Sequence, residues 1–400
     1  MFVVARSLNT GFEDFCWSPP MSHETDPSIA KPVRTAITEP FSYLKQVSRV
    51  KHQILGKYLG AWSGILGTKF KHLAYFDCFA GDGRYVDEYG VELPGSPQHG
   101  LQIASEFVSK SPGRSLTLGF IERDGSKAAR LLDMLNSSAK PNGVFVKVFA
   151  SDARDLSAHM ISAITTRGIV VPTFFFVDPY GYPLPVPTLR TLLAIPKAEL
   201  LVNLMWYRIS MDLGNPVAWD RIDALFAHDD WPFEEFDAKS GPARERAFMD
   251  YFEKEIGAAY HVRFPMTYSP EDRVTSPENR RKYFLVHFSG HYAAPLAMKD
   301  VMYRARSALE TIHTPTNQLQ LFEVNGRSKR LDELKAELRS FSAGEQMTFL
   351  NLRIRTANLP FAEPEYRQVV KELDQEGRLR IERRESKRTG LTDGDLIQFN

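Results

Sequence analysis

Cysteine is scarce: the 400 residues hold two, Cys16 and Cys78. Two thiols cannot build a disulfide framework, a four-thiolate zinc site or a cysteine-ligated iron–sulfur cluster within the chain. Long apolar runs are missing as well. The longest, Gly168 to Val177, is about ten residues and contains Pro172, roughly half of what a bilayer-crossing helix needs. Nor does either charge dominate. Lys plus Arg number 50 against 49 for Asp plus Glu, so no strong field marks a histone-like or polyacidic protein. The opening MFVVAR does not read as a secretory leader, because Arg6, Glu13 and Asp14 arrive before any extended apolar core. The expectation is a cytoplasmic protein that spans no membrane. With 43% hydrophobic residues and 12% aromatics it can bury ordinary cores, and its length suits two or three domains.

Residues 1–40 are punctuated by Pro19, Pro20, Pro27, Pro32 and Pro40 and lack a sustained period of 2 or 3.6, which predicts a poorly ordered extension. From Phe41 the texture changes. Apolar residues recur at helical spacing through KHQILGKYLGAWSGIL, so a helix precedes the first strand, HLAYFDCF. Beyond the glycine turn AGDGRY, helical runs near GSPQHGLQIASEFV, KAARLLDMLN, LSAHMISAI and TLRTLLAI alternate with strand-like SLTLGFIERD, VFVKVFASD, VVPTFFFVDP and AELLVNLMW. Alternation of this kind predicts a doubly wound, mostly parallel sheet, with TFFFV and ELLVNLM as central strands. A helical insertion is expected over about 207–258. HVRFPMTY and KYFLVHFS then supply two closing strands and AMKDVMYRARSAL a helix, completing an α/β domain over 41–305. Over 306–400, helical RLDELKAELRSF, EQMTFLNLRIRTANL and EPEYRQVVKELDQEG precede a hairpin, RLRIERRESKRTGLTDGDLIQF, the order of a winged helix-turn-helix.

The most informative segment is YFDCFAGDGRY. A strand ending in Asp77, followed by Phe79 and a turn with Gly81 and Gly83, lets backbone amides approach a ligand where side chains would clash. For a dinucleotide fingerprint the third glycine-like position is Val86, too bulky for the close helix contact required. The acid before the glycines instead resembles the first motif of S-adenosylmethionine-dependent methyltransferases. In that pattern the next strands end in acids that hold the ribose and adenine, and Glu122 and Asp152 stand in those places. The resemblance implies S-adenosylmethionine as cofactor, held by Asp77, Phe79, Gly81, Gly83, Glu122 and Asp152. A plainer reading makes the three acids caps of the helices that follow their strands.

The segment VDPYGY places Asp178, Pro179 and Tyr180 at the end of the fourth strand, where open α/β sheets bind ligands. It looks like the Asp-Pro-Pro-Tyr motif of methyltransferases acting on exocyclic base amines, without the second proline, and more closely like the Asp-Pro-Tyr-Gly form of tRNA guanine-N2 methyltransferases. The resemblance implies that Asp178 and the Pro179 carbonyl orient the target amine while Tyr180 stacks on an extruded base. The alternative is a proline-bearing turn with Tyr180 packed as core. Ser96 in PGSP lacks the elbow context of a nucleophile and is expected in the loop over the cofactor.

Several segments together, KHQILGKYLGAW, AYFDCFAGDGRY, FFFVDPYGYP and KYFLVHFSGHYAAPLAMKDVMYRA, resemble the three-Cys-motif partner proteins, TcmP. That resemblance implies a methyltransferase-like domain and a possible iron–sulfur partner protein carrying three clustered cysteines. In the tail, Arg380, Arg383, Arg384, Lys387 and Arg388 give a basic wing, with Arg367 and Lys371 on the preceding helix as candidate nucleic-acid contacts. The same helix bears Glu363, Glu365, Glu372, Asp374 and Glu376, so protein docking stands beside nucleic-acid binding. The histidines offer no metal constellation; His287 and His291 straddle a strand end. The expected activity is methylation of an exocyclic base amine in RNA or DNA. The alternatives are a docking or specificity subunit for the partner, or methylation of a protein or small molecule.

Overall fold

The computed structural model describes residues 46–86, 92–155, 171–267, 281–311, 326–384 and 390–400. The extension over 1–40, the helix expected at LSAHMISAI, and Lys387 and Arg388 lie outside them. Helix α1 (Gln46–Leu66) precedes β1 (His72–Asp77). The glycine turn leads first into a hairpin, β2 (Arg84–Val86) and β3 (Glu92–Pro94), and only then into α2 (Ser96–Lys110). The sheet then grows through β4 (Ser115–Glu122), α3 (Gly125–Ser137), β5 (Val144–Ala150), β6 (Thr173–Val177), α4 (Val186–Leu193) and β7 (Ala198–Leu204).

The expected insertion is four α-helices, α5 (Trp206–Leu213), α6 (Asp220–Phe226), α7 (Phe233–Asp237) and α8 (Gly241–Ile256), with a short 3-10 helix, Pro216–Ala218, between the first two. Strands β8 (Tyr260–Thr267) and β9 (Arg281–Ser289) return to the sheet and α9 (Ala293–Thr311) leaves it. The seven strands stand in the order β5-β4-β1-β6-β7-β9-β8, parallel through β7 and antiparallel at β9 and β8. A parallel sheet with helices on both faces closed by such a reversed pair is the Rossmann-like fold of methyltransferases.

Period-2 alternation sends sheet side chains into two cores. Tyr75, Phe120, Phe174 and Phe176 face α1, α2 and α9, whereas Phe76, Phe175 and Val177 face the insertion and α4. Both faces are therefore dry, which is why TFFFV reads as apolar throughout. Helix α1 buries Val50, Ile54, Leu55, Tyr58, Leu59 and Trp62, each contributing on the order of 2 kcal/mol of transfer free energy. It is also pinned by a polar contact: the Tyr58 hydroxyl donates to Glu199 Oε2 at 2.5 Å and lies 3.1 Å from His287 Nε2.

The carboxy-terminal segment has its own core around Phe349, Tyr366, Val370 and Phe399. It comprises α10 (Gly326–Arg339), β10 (Gln346–Thr348), α11 (Phe349–Arg355), α12 (Glu363–Gln375), β11 (Leu379–Glu382) and β12 (Leu396–Phe399), with strand order β10-β12-β11. The start of EQMTFLNLRIRTANL, expected to be helical, is strand β10, because the Thr348 hydroxyl accepts from the Asn351 amide and caps α11 there. The segment meets the α/β domain through the Glu363 amide on Asp300 at 3.3 Å and the His261 amide on Asn358 at 3.0 Å.

Candidate active site

The chain passes from β1 outward to β4 and β5, then crosses back to β6 on the other side of β1. This reversal opens a crevice beyond the carboxyl ends of β1 and β6. Asp77 pairs in register with Phe176, so Asp178 lies just past it on the adjacent strand. Two acids thus reach one crevice because their strands are neighbours, although about a hundred residues separate them in sequence.

Asp77 is fully buried. Its Oδ1 accepts from the Phe79 amide at 3.2 Å, while Oδ2 has no partner. Burial pushes its carboxyl up to about 7, against the Ser96 hydroxyl and the Phe79 amide, which favour the ionised form. Ser96 is no loop residue but the buried first residue of α2, its hydroxyl near the Asp77 carboxyl. Gly81 and Gly83 take φ of 64° and 77°. A Cβ on Gly83 would stand 2.8 Å from Met134 Cε and 2.9 Å from Leu131 Cδ1, side-chain ends that can give way, so it is the φ of 77° that calls for glycine at this point of the turn.

Glu122 is half-buried, and its two oxygens accept from the Gly81 amide at 3.0 Å and the Asp124 amide at 2.8 Å. The helix cap of α3 is Asp124, which accepts from Ser126 and Lys127. The cap reading thus fails for Glu122, and for Asp77 too, since a turn and a hairpin follow it, but it fits Asp152, whose Oδ1 accepts from the Arg154 amide at the start of the helical residues 153–155. Asp152 is also half-buried; burial opposes its charge, but the amide and guanidinium of Arg154 outweigh that and hold its carboxyl below the usual range.

Asp178 is held by two donors that the motif did not announce. Lys51 Nζ stands 2.5 Å from Oδ2 and Asn203 Nδ2 2.6 Å from Oδ1. Lys51 is 7% exposed and also lies 5.6 Å from the Tyr283 ring centroid. Next to it, His52 is buried with its Nδ1 unpartnered, between the rings of Tyr85 and His99. Burial, reinforced by the Lys51 charge, pushes the His52 imidazole down to about 3, so it is neutral at ordinary pH. Pro179 is buried, but Tyr180 stands wholly exposed, contrary to a core role for that ring, and Gly181 follows at φ 136° in open space. Tyr182 anchors the turn on Asp212 at 3.1 Å.

Around this crevice four buried polar atoms have no hydrogen-bond partner among the described residues: Asp77 Oδ2, Asn203 Oδ1, His52 Nδ1 and Tyr75 Oη. Buried polar groups are ordinarily bonded, so such a cluster suits a polar ligand. Together with the glycine turn it fits the cofactor that the motif implies. A signal for Lys51 and Asn203 did exist. Lys51 is in helical phase with the apolar residues Leu55, Tyr58 and Trp62, and Asn203 interrupts an apolar strand; a polar residue on a dry face needs a partner.

The candidate nucleic-acid contacts are not gathered here. Arg367 is bound to Glu363 on its own helix, and its guanidinium lies 5.3 Å from the Phe349 ring centroid. Lys371, Arg380, Arg383 and Arg384 are exposed on the carboxy-terminal segment. His287 sits within β9, bonded to Tyr58 and Glu199, and the His291 Nδ1 accepts from the Ala293 amide. Among the described residues no group of His, Cys, Asp and Glu is placed to hold a metal ion, and no helix is long and apolar enough to cross a membrane.

No protein-family model and no curated protein matches the chain. Several solved structures are distantly similar to it. A Legionella pneumophila protein assigned to the family model DUF519 is 13% identical, covering 68% of this chain and 95% of its own, with a TM-score of 0.42. A putative O-methyltransferase from Klebsiella pneumoniae is 11% identical over 61% of this chain and 90% of its own, TM-score 0.29. A putative class I S-adenosylmethionine-dependent methyltransferase from Listeria monocytogenes is 9% identical over 75% and 73%, TM-score 0.27. At these values the fold assignment rests on the strand order of the chain itself.

Proposed function

We propose that this chain transfers a methyl group from S-adenosylmethionine to an exocyclic amine of a nucleobase in RNA or DNA. The observation that carries the proposal is the pairing, at one crevice, of buried Asp77 with a free carboxylate oxygen and Asp178 beside an exposed Tyr180. Bound there, the cofactor would supply an electrophilic methyl on sulfur.

The chain's own residues do the rest. Asp77 offers its free oxygen to an ammonium donor, and the Gly81–Gly83 turn leaves room for a backbone-close ligand. Glu122 and Asp152 stand at the ends of β4 and β5 as acceptors for hydroxyl and amine groups. Asp178 and the Pro179 carbonyl accept hydrogen bonds from the target amine, so that its lone pair points at the methyl, and Tyr180 stacks on the base. Asp178 also stands where the proton of the methylated amine must leave. No covalent intermediate on the protein is required.

Label from radioactive S-adenosylmethionine should appear on an amine-bearing base of total RNA or DNA. Asp178→Ala should cut transfer at least about a hundredfold with cofactor affinity nearly unchanged; loss of both together contradicts the assigned role.

A second reading is favoured by one observation: both Asp178 oxygens already have donors from the chain. In it, the chain is a cofactor-binding specificity subunit for a three-cysteine iron–sulfur partner of the kind that the TcmP resemblance implies. The carboxy-terminal segment, whose helices and three-stranded sheet support a winged-helix reading, would then be the docking module. Transfer that appears only with such a partner present would favour this reading.

A further inference from the structure

We propose that Lys51 is a positioning residue for the reaction: with Asn203 it clamps the Asp178 carboxylate at the strand end, and its charge serves Asp77 and Asp178 together. The inference rests on the proposed reading of this crevice as a methyl-transfer site.

Each oxygen of Asp178 carries one donor from the chain, Lys51 Nζ at 2.5 Å and Asn203 Nδ2 at 2.6 Å. A carboxylate has about four lone-pair sites, so this arrangement fixes the plane of the group and still leaves acceptor capacity on each oxygen. The amide oxygen of Asn203, buried and without a partner, stands beside it as a further acceptor. An exocyclic NH₂ group has two hydrogens to place, and the pair Asp178 and Asn203 offers an acceptor for each. An ammonium suits the clamp because it only donates and cannot compete for those hydrogens. Its position is set from outside the strands. Tyr58, seven residues on and in phase on the same helix face, ties α1 to Glu199 and His287, so the helix cannot slide without breaking a buried contact.

The electrostatic half follows from what surrounds Asp77. It is faced by Tyr75 of β1 and Cys78 just past that strand, by Tyr85 of β2, by Asp178 just past β6, by the Ser96 hydroxyl of α2 and by Lys51 of α1. Burial holds Tyr75, Cys78 and Tyr85 well above their usual range, hence neutral, and His52, next to Lys51 and Asp178, is neutral as well. Lys51 is thus the cation among these groups. The neighbouring Asp178 carboxylate disfavours the ionisation of Asp77, and the Lys51 charge opposes that.

The test is a carboxyl-carbon NMR titration of Asp77 in the full chain, alongside calorimetric titration with S-adenosylmethionine, for the wild type, Lys51→Met and Lys51→Arg. The expected result is a wild-type midpoint near 7, raised by a few tenths of a pH unit or more in Lys51→Met and kept in Lys51→Arg. An unmoved midpoint in Lys51→Met, or an equal rise in Lys51→Arg, would overturn the proposal. If Lys51→Met does not fold, Lys51→Gln removes the same charge and must raise the midpoint likewise. The two readings fail separately. A wild type that binds no S-adenosylmethionine while the midpoint moves as expected refutes the methyl-transfer reading and leaves the clamp standing; binding without any movement does the reverse.

Discussion

At the carboxyl edge of the sheet, polar atoms stand buried without partners; in the carboxy-terminal segment, charges have found each other. Asp77 Oδ2, Asn203 Oδ1, His52 Nδ1 and Tyr75 Oη are unpaired around one crevice. In the tail, by contrast, Arg353 bonds Glu363 and Asp393, Arg330 grips both oxygens of Glu365, and Lys335 bridges Glu372 and Glu376. The difference separates two uses of polarity. A satisfied network fixes a fold, whereas unsatisfied groups in a dry crevice cost stability and persist where a ligand completes them.

The seam between the two regions breaks this contrast in one place. Lys299 of α9 is buried under the ring of Tyr366 with its ammonium unpartnered, and burial, reinforced by Arg353, pushes it down to about 7. A lysine lowered by folding destabilises most where both states are charged, below that value, and the cost fades as pH rises toward its unfolded value. Lys299→Met should therefore raise stability by on the order of 5 kcal/mol near pH 6, shrinking steadily toward pH 10, in denaturant titrations across that range. A gain independent of pH would show that the ammonium is not the cause.

The acid at the crevice carries the opposite sign. A carboxyl raised by folding is at ease below its unfolded value and costs stability as pH rises through its folded one. Asp77→Asn should gain on the order of 4 kcal/mol above pH 7, with the gain vanishing near pH 4. A variant less stable than the wild type at pH 8 would mean that the lone oxygen of Asp77 is satisfied after all.

The smallest effect sharpens the comparison from the tail side. Arg367 is engaged by Glu363 and lies against Phe349, so Arg367→Ala should cost about 1 kcal/mol of stability or less and leave RNA or DNA affinity and its salt dependence unchanged in filter binding. A clear fall in the salt slope would return this arginine to a nucleic-acid interface.

Much of the fold was legible because its signals are local. The alternation of TFFFV and ELLVNLM with helical runs gave the parallel sheet, and HVRFPMTY with KYFLVHFS gave the two reversed strands. The hairpin between Arg84 and Pro94 was not foreseen, since Gly83 and Gly95 mark turns without saying that the strands between them pair. At the site, Asp77 and Asp178 stood out because each ends an apolar strand beside glycine or proline. Lys51 and Asn203 did not, because their role depends on a contact made across roughly 130 residues in one case and between neighbouring strands in the other. The tail showed the converse limit: a count of basic residues could not reveal that Arg367 spends its charge on Glu363.

The account's central claim is that the crevice around Asp77 is a methyl-donor site. Titration calorimetry of the purified chain with S-adenosylmethionine, beside Asp77→Asn and Glu122→Ala, tests it most directly. The account predicts binding to the wild type that weakens at least about tenfold in Asp77→Asn, where an ammonium loses its anionic partner, and less in Glu122→Ala. A folded wild type that binds no S-adenosylmethionine, or an Asp77→Asn variant that binds it equally well, would contradict the claim.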